Sequence, residues 1–246
     1  MLDALSASET GMLNDIQRMH AISHNLANVS TAGFKREMVV SRPFVEHLSV
    51  AATTADAARA SFQVVTPQLE VLTDHRAGTL KFTGNPLDLA LQDDGFFTVT
   101  GASGPLYTRQ GSFRLDAQGR LVTVTGMPVL GNGGEIRLNT PNPVIDQNGN
   151  VYEGDQIVAQ FQVVKFSDPG RLTNVGNGLY SAGEGVVPAP PELARIRQGY
   201  LEMPNVVLTD EMIHMIETMR HFESSQRVLK SYDSMLDKAI NVIGEF

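Results

Sequence analysis

Apolar residues recur at helical spacing at both ends of this chain, while the long middle switches to short apolar runs punctuated by turn residues. Near the C-terminus, Leu208, Met215, Phe222, Leu229, Leu236 and Ile243 recur every seven residues, with Met212, Met219 and Ile240 on a companion row. That is the a/d pattern of a coiled-coil seam. Leu5, Met12, Met19 and Leu26 repeat the same interval near the start, and Ile16 and Ile22 widen their stripe. Neither stripe is stable facing water, so the ends are expected to cover each other or to pack on further subunits. The predicted fold class is α+β: long N- and C-terminal helices paired as a coiled-coil-like unit, with an inserted antiparallel β domain.

Local signals place the boundaries. The first helix is expected over residues 1 to about 28, with Ser6 and Glu9 at capping-box spacing, ending before Ser30-Thr31-Ala32-Gly33. Gly33 is expected to take positive φ and Phe34 to anchor the chain after it. Residues 31 to 83, with 186 to 204, read as connector. Within it the Ala-rich 51 to 60 stretch fits a short helix or an ordered loop, and Phe62-Gln63-Val64-Val65 a strand. From 84 to 185 the text is β, with runs at Leu87 to Leu91, Phe96 to Val99 and Gln160 to Phe166. Asp116-Ala-Gln-Gly119 and Asp146-Gln-Asn-Gly149 are hairpin signals, and with Gly131 to Gly134 between them they imply a meander or barrel. Pro188, Pro190 and Pro191 mark the exit. The last helix is expected from 209 to about 243, with Thr209 as N-cap and Asp210 and Glu211 at its positive end. Residues 1 to 30 and 205 to 246 then form one discontinuous helical domain. Gln226 and Asp233 interrupt the companion row, so the stripe is expected to rotate onto Val228, Tyr232 and Met235. Ile213, Ile216 and Val242 add further apolar surface. The final helix has more than one face to cover.

Composition narrows the function. A formal net charge of −8 without clustered Lys and Arg argues against nucleic acid. With no cysteine there is no disulfide framework, thiolate metal site or Cys nucleophile. No 18-residue apolar run suits a membrane span, and no basic stretch precedes an apolar core as in a cleaved secretory signal. All six histidines, at 20, 24, 47, 75, 214 and 221, lie outside residues 76 to 213. The β domain therefore has no His-based general base or zinc site. His20 and His24 stand at i, i+4, but no third ligand is evident. The Asp146 loop departs from a calcium loop at Val151 and Ile157, where Gly and Glu are needed. Asp93-Asp94 fits a turn, Gly131 to Gly134 lacks the following helix of a phosphate cradle, and no nucleophile elbow is present. The reading is non-enzymatic, with no catalytic, cofactor or metal residues. Paired carboxylates in a carbohydrate-active β protein are the outside alternative, and a free-standing coiled-coil adaptor the third.

Ser23-His24-Asn25-Leu26-Ala27-Asn28-Val29-Ser30-Thr31-Ala32-Gly33-Phe34-Lys35 resembles the N-terminal signature of bacterial flagellar axial proteins, the rod and hook group. Gly84-Asn85-Pro86-Leu87-Asp88-Leu89-Ala90 running into Gly95-Phe96-Phe97, then Tyr107-Thr108-Arg109 with Gly111-Ser112-Phe113, resembles that group's β domain. Gly199-Tyr200-Leu201-Glu202 with Asn205-Val206, followed by Met215-Ile216-Glu217, resembles its C-terminal signature. The chain departs at His24, where the group usually has Asn, and at Pro204. The resemblance implies a structural subunit of the flagellar basal-body rod. Such a subunit is exported by the flagellar type III apparatus without a cleaved signal and polymerises helically with copies of itself and other rod subunits. It also implies a rod location across the periplasm, with no nucleic acid and no membrane insertion. Chain length and the irregular connector favour the proximal over the distal rod type. The assembly interface is expected at Leu5, Met12, Met19, Leu26, Leu208, Met212, Met215, Met219, Phe222, Leu229, Leu236, Ile240 and Ile243.

Overall fold

The computed structural model describes residues 2–41, 69–102, 104–183, 185–187 and 195–243. Two helices bracket the fold, α1 (Leu2–Ala27) and α2 (Leu208–Ile243). Between them come β1 (Glu37–Ser41), β2 (Leu69–Thr73), β3 (Leu80–Phe82), β4 (Leu89–Leu91), β5 (Phe96–Gly101) and β6 (Gly104–Thr108). There follow β7 (Phe113–Leu115), β8 (Leu121–Thr123), β9 (Leu130–Gly131), β10 (Gly134–Glu135), β11 (Val144–Ile145) and β12 (Asn150–Glu153). The last are β13 (Gln156–Gln160), β14 (Val163–Val164), β15 (Leu172–Gly176), β16 (Leu179–Ala182), β17 (Ile196–Gln198) and β18 (Tyr200–Glu202). The protein is α+β with antiparallel strands.

The chain divides into two compact units. One holds α1, α2, β1 and β2 as far as Leu72. The other holds Asn28–Arg36 and Thr73–Val206. The second is larger than the expected 84 to 185 body, because β3 pairs with β18 and β4 with β17. Residues 196–202, expected as connector, are therefore paired strand. Short runs such as Ile196-Arg-Gln lack the length to announce themselves, and their partners lie over a hundred residues away.

The β body is a set of small sheets rather than a single meander or barrel. The largest has the order β14-β5-β6-β16-β15, and another runs β11-β12-β13. Both Asp-x-x-Gly signals are hairpins. Asp116 Oδ1 accepts the Gln118 and Arg120 N–H groups, Asp146 Oδ1 those of Asn148 and Asn150, and Gly119 and Gly149 take φ of 73° and 80°. Asx-turn geometry explains that spacing and leaves the carboxylates engaged. The expected Gln160 to Phe166 strand is broken, β13 ending at Gln160 and β14 covering only Val163–Val164.

Adjacent strand residues face opposite ways, and Phe96 and Phe97 on β5 illustrate it. Phe97 enters a core with Leu89, Phe113, Val151, Phe161 and Ile196, its ring 5.2 Å from Phe113. Phe96 enters a second core with Tyr107, Phe166, Leu172 and Tyr180.

The helix starts differ from expectation. α1 begins at Leu2, so Ser6 and Glu9 lie inside it rather than capping it. α2 begins at Leu208, so Thr209 is already helical, while Asp210 and Glu211 do occupy its first turn. The Ala51 to Ala60 stretch, the Phe62 to Val65 strand and the exit prolines lie outside the described residues, as do the side chains of Leu5, Leu236, Ile240 and Ile243.

Candidate assembly surfaces and buried motif residues

Burial along α2 follows a strict heptad. Glu211 is buried, and Met215, Thr218, Phe222, Ser225, Leu229 and Tyr232 are half-buried, at alternating steps of four and three. Met215, Phe222 and Leu229 of one expected row are thus among the half-buried positions. The companion row lies one residue earlier than expected, at Glu211, Thr218, Ser225 and Tyr232. Met212 and Met219 are about half exposed, as are Leu208, Val228 and Met235. The expectation followed hydrophobicity, whereas the small and polar side chains at 218 and 225 suit close approach to a neighbouring helix. On α1, Met12, Met19 and Leu26 are half-buried as expected and Ile22 is buried, while Ile16 is exposed.

Two polar contacts link the helices. Asn25 Nδ2 donates to Glu211 Oε2 at 3.2 Å, and His221 Nδ1 lies 2.5 Å from Asp15 Oδ2. Moving ten residues back along α1 moves ten forward along α2, so the contacts run antiparallel. Asn25 does more. Its Oδ1 accepts the Glu37 N–H at 2.8 Å and its Nδ2 donates to the Glu37 carbonyl at 2.9 Å, so one buried amide stands in for a strand neighbour of β1. His24 Nδ1 contacts Glu37 Oε2 at 2.9 Å. It is engaged with Glu37 rather than with His20, and no metal cluster occurs among the described residues.

The rest of the N-terminal motif serves the β body. Gly33 has φ of 72°, as expected, and its N–H donates to the Glu202 carbonyl at 2.7 Å. Phe34 is buried and so is Lys35. Lys35 Nζ donates to Glu202 Oε1 and to the Arg76 carbonyl, both at 2.7 Å. Arg109 Nε donates to Glu202 Oε2 at 2.9 Å, and its Nη1 to the carbonyls of Asp93 and Gly95. The Gly78 N–H completes the carboxylate's partners at 2.9 Å. All three charged side chains are about 3% exposed or less. Burial alone would raise the Glu202 carboxyl, but the Arg109 and Lys35 charges outweigh it and hold the group below its usual range. Burial lowers the Lys35 ammonium despite the opposing Glu202 charge.

The other motif residues shape turns. Asn85 Oδ1 accepts the Leu87 N–H and its Nδ2 donates to Asp88. Gly84 and Gly199 take φ of 75° and 77° side by side, their backbones joined by the Gly84 N–H to the Gly199 carbonyl. Asn205 Oδ1 accepts the Arg36 N–H, and its Nδ2 donates to the carbonyls of Asp74 and Arg76. Gly95 and Pro86 supply carbonyls to Arg109 and Gln198. Asn28 accepts the Thr31 hydroxyl, and Ala27 is the exposed last residue of α1. Along the chain, Lys35, Arg109 and Glu202 stand in three separate motif blocks with nothing to join them. No local pattern links charges 167 residues apart; three charged residues inside otherwise apolar or glycine-rich motifs were the available signal.

His75 is a half-buried polar residue that no sequence pattern marks. Its ring packs edge-on against Phe96 at 5.6 Å and Tyr180 at 5.1 Å, and both ring nitrogens are shut off from solvent without a hydrogen bond of good geometry. It borders a cavity of about 220 Å³ whose lining includes one carboxylate, Asp94. Burial, reinforced by the Lys35 charge, pushes its pKa down to about 4, Asp74 opposing only in part. The unfolded ring binds a proton below about pH 6.5 and the folded ring does not. Stability from this group is complete above pH 6.5 and drains away as pH falls toward 4, by on the order of 2 kcal/mol after discounting for residual solvent. Urea melts across pH 4 to 7 should show that slope in the parent protein and a flatter one in His75→Phe. Equal slopes would refute the assignment.

Comparison with known proteins shows the family. Residues 197–242 match the family described as flagellar basal body rod FlgEFG protein C-terminal. Residues 90–153 match the flagellar hook protein FlgE/F/G D1 domain. The flagellar basal-body rod protein FlgG of Bacillus subtilis (strain 168) is 30% identical, covering 98% of this chain and 99% of the relative. FlgG of Buchnera aphidicola subsp. Acyrthosiphon pisum is 32% identical, covering 97% of this chain and 98% of its own. The rod protein FlgF of Caulobacter vibrioides is 31% identical over 93% of each. With relatives of this identity along nearly its whole length, the chain belongs to the flagellar basal-body rod protein family.

Proposed function

We propose that this protein is a structural subunit of the flagellar rod, polymerising helically into the shaft that carries torque from motor to hook. The observation that carries the reading is the second apolar face of α2. Leu208, Met212, Ile216 and Met219 remain exposed although the heptad row beside them is half-buried. A face of that kind on a helix already in contact with α1 suits a further subunit, and unlike surfaces meeting head to tail build open helical filaments. In this reading α1 and α2 form an antiparallel coiled-coil-like unit, supported by the Asn25–Glu211 and Asp15–His221 contacts. The partners are copies of this chain, other rod subunits and the flagellar type III export apparatus. The location is the rod across the periplasm, reached without a cleaved signal. The role is not enzymatic. Asp116 and Asp146 are held within hairpin turns and Asp93 pairs with Arg195, so these carboxylates are engaged rather than aimed into a cleft. Relatives of both the FlgG and the FlgF type match at similar identity. The proximal preference therefore rests on chain length and connector alone.

Deleting the gene should abolish swimming and leave basal bodies without a complete rod, and the tagged protein should co-purify with basal bodies. Motile cells with complete rods would overturn the reading. A finer test addresses the helices. Phe222→Ala should cost about 1 to 3 kcal/mol in helix packing, less than for full burial because the site is only half-buried. Rod incorporation should fall while the melting of the β body, followed by tyrosine signals, stays within a few degrees. Equal loss in both would refute separate layers.

A further inference from the structure

The β body presents an exposed aromatic platform built from Phe82, Tyr200 and Arg197. Phe82 on β3 is 67% exposed, the most exposed aromatic among the described residues. It stands directly opposite Tyr200 on β18, with ring centroids 5.2 Å apart at 60°. The Arg197 guanidinium lies 4.3 Å above the Tyr200 ring. Two glycines lie beside the Phe82 ring. A Cβ at Gly199 would come 3.3 Å from its Cε2, and one at Gly84 would come 3.7 Å from its Cζ. Both glycines have positive φ, and their missing side chains leave room for the ring. A phenylalanine facing water is costly unless something covers it, since a buried aromatic contributes roughly 150 Å² or more of apolar contact.

The exposed stripe of α2 has the complementary chemistry. Leu208, Met212, Ile216 and Met219 lie at i, i+4, i+8 and i+11, within roughly an 80° arc of the helix. Glu223 falls on the same arc one turn beyond Met219. From Leu208 to Glu223 the exposed acids are Asp210, Glu217 and Glu223 against a single arginine, Arg220, and the exposed Glu223 has Arg227 3.9 Å away on the next turn. Methionine thioethers pack favourably on aromatic ring edges, and a carboxylate at the end of the stripe suits the guanidinium at the end of the platform.

We propose that the Phe82–Tyr200–Arg197 platform of one copy docks on the Leu208–Met212–Ile216–Met219 stripe of a second copy, with Arg197 facing Glu223. The inference rests on the rod reading above and assigns one of its contacts. The two surfaces differ, so the contact is heterologous and repeats without closing.

The absence of native cysteine makes the test direct. Cells co-expressing Phe82→Cys and Met219→Cys copies are oxidised, and isolated basal bodies are examined for a cross-linked dimer. A dimer is expected from the mixture and not from either variant alone. Phe82→Ala, Arg197→Glu and Glu223→Arg should each lower incorporation about tenfold with the monomer's melting unchanged. Combining Arg197→Glu with Glu223→Arg should restore at least half of it. Absence of the cross-link from rods that contain both variants, or full incorporation of Phe82→Ala and Arg197→Glu, would overturn this contact and leave the rod reading intact. Failure of the parent protein to enter basal bodies would instead overturn the rod reading.

Discussion

Glu202→Ala is expected to destabilise the β body by about 3 to 5 kcal/mol, the range for removing one partner of a buried ion pair. Glu202 is the shared acceptor of the Lys35 ammonium, the Arg109 guanidinium and the Gly78 N–H. Without it two buried cations face each other with only carbonyl partners. The loss should appear as a lower urea midpoint at unchanged slope, read from the tyrosines of the β body. Adding Lys35→Met should recover part of it by removing one of the uncompensated charges. A loss below about 1 kcal/mol would mean that water or side-chain rearrangement takes over the role of Glu202. The cluster is also acid-sensitive. Its carboxyl is held below the usual range, so its contribution is present above the ordinary carboxylate pKa and lost as pH falls beneath it.

Gly33→Val is the second large effect. The left-handed backbone costs a Cβ-bearing residue about 1 to 2 kcal/mol. Here the added Cβ would also land 2.6 Å from the carbonyl carbon and oxygen of Arg109 and from Gln110 Cα. Backbone cannot swing aside as a flexible side chain can, so the total is expected at about 3 kcal/mol or more. It also strains the Gly33 N–H bond to the Glu202 carbonyl. Gly126→Ala is the matched control, because Gly126 has φ of 88° and a Cβ there would meet nothing within 4 Å. It should lose only the conformational part. Parity between the two variants would show that the approach to Arg109 and Gln110 relaxes freely, and it would remove the reason for glycine at 33.

Legibility in the sequence followed the range of the interactions. The terminal helices, the stop after Ala27, the positive φ at Gly33 and the two Asp-x-x-Gly hairpins depend on residues within a turn or two of one another. Periodicity and turn chemistry were sufficient to locate them. The helix stripe was legible to one row. Met215, Phe222 and Leu229 stood out by hydrophobicity, but the second row runs through Glu211, Thr218 and Ser225, which no hydrophobic pattern marks. Of these, Glu211 is bonded to Asn25 of α1, a contact that no local pattern announces. The polar centre of the β body was not legible as a cluster. Lys35, Arg109 and Glu202 stand out as charges inside apolar or glycine-rich motifs, but nothing local says that they meet, and β17 and β18 are too short to declare themselves. Only the pairing of β18 with β3 and the close passage of Gly33 past Arg109 bring those charges together. Local propensity is encoded residue by residue, whereas a buried charge is tolerable only where distant chain segments supply its counter-ion. Sequence by itself thus determined the elements that local periodicity and turn chemistry mark, and the tertiary structure decided the short distant strand pairs and which polar residues the fold could afford to bury.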